Sequence, residues 1–197
     1  LSFVYGTNVE LLYSMPAIGA TLAATAVTCV SGTSATAAPF LMPPLQNIWS
    51  PSQMQGKSLM VVANGGYDVS ANTGNKISLI LDSALATTAA SSVTVASTGS
   101  NTFPTSTTGA WEIQLWMSCV STGTVSTWYP GGTMTCGPGS SNVTASSTFV
   151  WGSTITAGIP QVVTIPTTVS YYVDLYSQWA TAPTAFVVST FQVYAMN

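Results

Sequence analysis

Apolar and polar residues alternate over much of this chain. In the stretch from Trp111 to Val120, Trp111, Ile113, Leu115, Met117 and Cys119 alternate with Glu112, Gln114, Trp116 and Ser118. A period of two sends successive side chains to opposite faces, which is the pattern of a half-buried strand. Leu59, Val61 and Ala63 share one face in Leu59 to Tyr67, and Ile77, Leu79 and Leu81 share one in Ile77 to Ser83. Val93 pairs with Val95 in Ser91 to Thr98. Gln161 to Ile165, Ser170 to Trp179 and Phe186 to Met196 are strand-like too. Thr, Val, Ser and Gly dominate where helix formers would be needed, so helices are not expected.

Turn signals separate these runs. Asn64-Gly65-Gly66 predicts a bend or bulge. Asn72 to Asn75 predicts a tight hairpin joining Tyr67–Ser70 to Lys76–Leu81, with Asp68 and Lys76 flanking it. Pro130-Gly131-Gly132 and Gly137-Pro138-Gly139 bracket an expected loop.

Seven or eight short strands at this spacing predict an all-β sandwich or barrel. The expected organisation is an extended N-terminal arm over residues 1–20 and one jelly-roll-like β-sandwich over 21–197, its first strand near Thr21 to Val30. Residues 39–56 form a proline-rich loop, because Pro39, Pro43, Pro44 and Pro51 enforce extended backbone. Its apolar residues Phe40, Leu41, Leu45, Ile48 and Trp49 are interface candidates for a neighbouring subunit. The competing reading packs this loop on its own sandwich.

Composition changes the picture in one respect. The apolar share is an ordinary 47%, but charged residues make up only 4%. They are Glu10, Lys57, Asp68, Lys76, Asp82, Glu112 and Asp174; Arg and His are absent. With a net charge of -3 there is no basic footprint for phosphates, so nucleic acid is not an expected partner. Six Trp, eight Tyr and six Phe are enough to build a core. An exterior of Ser, Thr, Asn, Gln and Gly repels its neighbours weakly, which suits a subunit covered in an assembly. A secreted, stable β-domain rich in Thr, Ser and Ala is the other reading.

Residues 11–30 carry no charge. Pro16 and Gly19 interrupt the segment, and no Lys or Arg flanks it. It is therefore read as arm and first strand, with no membrane partner expected.

Elimination argues against catalysis. Without His there is no Ser-His or Cys-His pair. Gly56-Lys57-Ser58 lacks the upstream glycine of a phosphate loop. Asp82, Glu112 and Asp174 could supply a glycosidase pair, but solvated or interface carboxylates are the plainer reading. No enzyme activity, cofactor or metal is expected. Cys29, Cys119 and Cys136 lack metal-site spacing. A Cys119–Cys136 disulfide and buried free thiols both remain open. Trp116, Trp128, Tyr129, Trp151, Tyr172 and Tyr176 could stack on sugars. The strand face of Tyr172, Asp174, Tyr176 and Gln178 suits a subunit interface or a lectin, so Tyr172 and Tyr176 join the interface candidates.

Three segments carry a family resemblance. They are Gly56 to Ser83 with its Gly-Lys-x-Leu opening, Trp111 to Val125 with its Trp-opened strand, and Val169 to Asn197 with its Gln-Trp and final strand. Their order resembles small tailed-phage structural proteins of the capsid decoration or cement type. The resemblance implies a jelly-roll-like sandwich, often trimeric, on the outer surface of a virion shell. Its partners would be the major capsid protein or other virion subunits, with no catalytic residues to transfer. A carbohydrate-binding or adhesive module, such as a tail or fibre subunit, is the alternative.

Overall fold

The computed structural model describes residues 9–15, 18–19, 21–26, 28–30, 40–70, 73–82, 92–98, 101–103, 105–138, 147–152 and 162–197. In chain order the strands are β1 (Val9–Ser14), β2 (Thr28–Cys29), β3 (Leu41–Met42), β4 (Ser58–Val69), β5 (Thr73–Asp82), β6 (Ser92–Ser97) and β7 (Asn101–Phe103). They continue as β8 (Ser106–Ser121), β9 (Val125–Pro138), β10 (Ser147–Gly152), β11 (Val163–Pro166), β12 (Tyr171–Trp179) and β13 (Ala185–Met196). One helical turn, α1 (Leu45–Ile48), and a 3-10 turn (Pro51–Gln53) lie between β3 and β4. Among the described residues, no helix is long and apolar enough to cross a membrane.

The protein is an all-β antiparallel sandwich, as the alternation predicts. One sheet runs β1-β13-β4-β8-β9, with β10 and β11 both pairing β9. The other runs β6-β5-β12, with β2 and β3 on β12 and β7 on β5. A single pair, Gly152 with Ser97, joins the layers where β10 meets β6.

The core lies between them. Burial alternates along β4 and β13, because one face of each meets the opposite sheet. Leu59, Val61, Met117 and Val193 of the first sheet face Met42, Leu79, Leu81 and Val173 of the second around a gap of about 10 Å³. At one end aromatic rings fill the space: Trp111 stacks on Phe186 at 5.0 Å, and Phe103 meets both Tyr67 and Trp179 at 5.1 Å.

Three expectations change. The Asn72–Asn75 turn does not close a hairpin, because β4 and β5 lie in opposite sheets and pair with different neighbours. Asp68 and Lys76 are therefore not cross-strand neighbours. The loop expected around Pro130-Gly131-Gly132 is continuous strand β9. Pro130 is tolerated because it sits between the span paired with β11, which ends at Trp128, and the span paired with β10, which starts at Gly131. The described part of residues 1–20 runs along β13 as a sheet edge: β1 pairs with it, and Met15 N donates to Phe191 O at 2.9 Å. Tyr13 anchors this edge by stacking on Phe40 at 5.0 Å.

Candidate interaction surface

The outer face of the first sheet is built by the residues that alternate with the core. Cross-strand partners share a face, so the register lays these residues out in rows. One row reads Leu11, Tyr194, Met60, Trp116, Gly131 across β1, β13, β4, β8 and β9. The next reads Val9, Met196, Ser58, Ser118, Tyr129. Leu11 is 51% exposed, Trp116 37% and Tyr129 41%, whereas Tyr194, Met60 and Met196 are half-buried. An apolar and aromatic band therefore crosses five strands and ends at β1.

Away from this band the face turns polar. Gln192, Val62, Gln114 and Thr133 form one row, and Thr190, Asn64, Glu112 and Thr135 the next. Thr190 Oγ1 donates to Asn64 Oδ1 at 3.0 Å, and Gln114 Nε2 donates to Glu112 Oε1 at 3.1 Å. Small residues Gly65, Ala110 and Gly137 leave an open hollow of about 440 Å³ beside Glu112. In these four rows Glu112 is the one charged side chain.

The predicted interface residues do not stay together. Leu41 is 49% exposed at the edge of the second sheet, and Phe40 and Ile48 are half-buried against the core. Leu45 and Trp49 belong to this chain's own core. Trp49 packs on Trp128 at 6.1 Å, and its Nε1 donates to Asn197 Oδ1 at 2.8 Å. The proline-rich loop is thus held by its own sandwich through these side chains. Tyr172 is half-buried, but Tyr176 is only 1% exposed.

The sugar-stacking set divides in the same way. Trp128 is fully buried, with Nε1 donating to Ser126 Oγ at 2.6 Å, so neither it nor Tyr176 forms an open platform. The side chain of Trp151 lies outside the described residues. Trp116 and Tyr129 remain open, and beside them Gly131 has no atom within 4 Å of where its β-carbon would be.

Two of the three strand carboxylates are not solvated. Asp82 and Asp174 lie on the outward face of the second sheet, opposite Tyr172 and Ile80 respectively, and both are buried. Glu112 is exposed. Among the described residues no three His, Cys, Asp or Glu gather as a metal site.

Cys119 and Cys136 are buried free thiols. Their register partners are Trp128 and Trp111, so the two lie eight residues apart along β9, roughly 27 Å, and cannot bridge. Burial pushes the Cys119 thiol above its ordinary pKa. Burial also raises Tyr171 and Tyr13, the latter with help from the Asp174 charge.

No protein-family model, no curated protein and no solved structure matches this chain. Leu11, Tyr194 and Met60 were not singled out from the sequence, and Trp116 and Tyr129 were named there only as sugar-stacking candidates. Alternation marks these positions as outward, but only the register shows that they adjoin.

Proposed function

We propose that this chain is a non-catalytic structural subunit of a virion, a decoration or cement protein on the outer capsid surface. It would stabilise the shell by subunit contacts, with the major capsid protein or another virion subunit as partner. The observation that carries this reading is the apolar band across the outer face of the first sheet, on a surface with almost no charge. Trp, Tyr and Met are residue types enriched where proteins meet. An interface of standard size covers about 800 Å² per partner, which a five-strand face can supply.

The strand order supports the jelly-roll form of the sandwich. Omitting β7, β9, β10 and β11 leaves β1-β13-β4-β8 facing a sheet of β6-β5-β12 with β2 and β3. The last strand thus lies beside the first, and apart from the steps from β2 to β3 and from β5 to β6 the chain alternates between layers, as in eight-stranded jelly rolls.

The test is co-sedimentation of the full chain with shells assembled from the major capsid protein of the virion it is drawn from. Saturable binding that Trp116→Lys and Met60→Lys each weaken, with the fold intact by circular dichroism, is the expected result. Shells that never take up the protein, or that bind both variants normally, would reject the reading.

The open flank of Trp116 beside Gly131, next to Gln114 and Thr133, favours a second reading as a carbohydrate-binding or adhesive module. Quenching of Trp fluorescence by a neutral polysaccharide, abolished in Trp116→Ala, would select it.

A further inference from the structure

β1 is the longest described strand with a neighbour on one side only; β6 and β10, also six residues long, are joined to each other through Gly152 and Ser97. Among the described residues, β1, β2, β3, β7 and β11 each have a single neighbour, and they contain six, two, two, three and four residues. Short edges rarely recruit a partner, whereas a longer apolar edge with unpaired backbone groups does. β1 has neither Pro nor Lys to guard it, and Glu10 is its one charge. A register shift between Leu11 and Tyr13 distorts its far end but leaves Val9 to Leu11 in register with Met196 to Tyr194. Val9 and Leu11 are each about half exposed, and the apolar band of the outer face ends on them.

We propose that two copies of this chain join through β1, edge to edge and antiparallel, about a two-fold axis. A second copy offers the same free edge, and antiparallel pairing of identical strands is closed by the two-fold: both edges are used and no further copy can add. With the two-fold axis at Leu11, five residues of each copy, Val9 to Tyr13, pair in a seam of about 17 Å. Leu11 of each copy meets its counterpart across it, so the band from Leu11 to Trp116 becomes one stripe across both molecules.

A ring of three is not favoured by these edges. It would need β1 to meet a different open edge, but β9 is already flanked by β10 and β11, and β10 is itself tied to β6 through Gly152 and Ser97. β2 and β3 offer two residues each. With a net charge of -3 per chain, repulsion between copies is weak.

This inference stands on the edge and its band, not on the virion reading. A dimer that ignores shells would leave it intact, and a monomer that binds shells would overturn it. The experiment is sedimentation equilibrium of the full chain from nanomolar to high micromolar concentration, with amide exchange of Val9–Ser14 measured in parallel. A monomer–dimer equilibrium is expected, with slower exchange in β1 as the dimer forms. Leu11→Lys places an ammonium beside its copy and should weaken association at least tenfold, while Leu41→Lys, on the other sheet, should not. A wild-type monomer or trimer, β1 exchange independent of concentration, or a folded Leu11→Lys variant that dimerises normally would each overturn the proposal. So would association that requires added shell protein or polysaccharide. If Leu11→Lys does not fold, the wild-type exchange series alone decides.

Discussion

The ring of Tyr67 lies across Gly109, its register partner on the neighbouring strand, so closely that a β-carbon on Gly109 would fall 2.2 Å from it. The ring cannot swing away, because Phe103 meets it edge-on at 5.1 Å inside the core. Gly109→Ala is therefore expected to destabilise the fold by about 1–3 kcal/mol through overpacking. Gly131→Ala, where a β-carbon meets nothing within 4 Å, is the matched control and should cost much less. Denaturant unfolding of both variants measures the difference.

Tyr67 also has a hydroxyl that is buried without a hydrogen-bond partner. Burial, with a contribution from Cys136, pushes its pKa from 10.0 to about 12. The unfolded chain releases this proton at lower pH than the folded chain does. The folded state thus holds more protons between pH 10 and about 12, and this contribution to stability is lost as pH rises through that window. Tyr67→Phe should be neutral or slightly stabilising at pH 7, because an unsatisfied buried group is removed. It should also lose less stability than wild type between pH 10 and 12. Urea titrations at both ends of the window test this; an equal alkaline loss in both proteins would refute it.

These two residues also show how far the sequence could be read. The alternation in β8, β12 and β13 identified strands correctly, because each has one face in the core. β9 was hidden because Pro130, Gly131 and Gly132 signal a turn, and only its position between β10 and β11 makes them tolerable. Glycines under aromatic rings, such as Gly109 under Tyr67, look like turn residues until the register is known. Trp49, Trp128 and Tyr176 are residue types shared by cores and interfaces, so sequence could not separate the two. Tertiary contacts decide it: Trp49 reaches Trp128 and Asn197, and Trp116 reaches open surface.

Ser126 holds a small buried chain of hydrogen bonds. It accepts from Trp128 Nε1 at 2.6 Å and donates to Ile165 O at 3.0 Å, tying β11 to β9. Ser126→Ala would leave a buried indole N–H without its acceptor, at a cost of about 1–3 kcal/mol. Adding Trp128→Phe removes that orphaned donor. The double variant should therefore be less destabilised than the sum of the two single changes, as a double-mutant cycle would show.

The buried thiols of Cys119 and Cys136 give a chemical readout of the register. Cys119 and Cys136 are buried, and the Cys119 thiol is shifted away from its reactive thiolate form. Both should react slowly with a thiol reagent in the native protein and rapidly once it is unfolded. Mass mapping under non-reducing conditions should yield no Cys119–Cys136 peptide, and recovery of one would contradict the pairing of β8 with β9.

The proline-rich loop can be divided by stability alone. Trp49 is 6% exposed, packs on Trp128 and bonds Asn197, whereas Leu41 is 49% exposed at the edge of the second sheet. Trp49→Ala should cost about 3–5 kcal/mol, as large-to-small changes in a core do. Leu41→Ala should stay within about 0.5 kcal/mol. If Trp49 instead served a neighbouring subunit, its removal would leave the isolated chain as stable as before and would weaken only assembly. Thermal unfolding of the isolated chain, beside shell binding for both variants, separates these outcomes. A large stability loss confined to Trp49→Ala would show that this loop acts first as a clasp on its own sandwich, leaving Leu41 as its exposed apolar side chain for a partner.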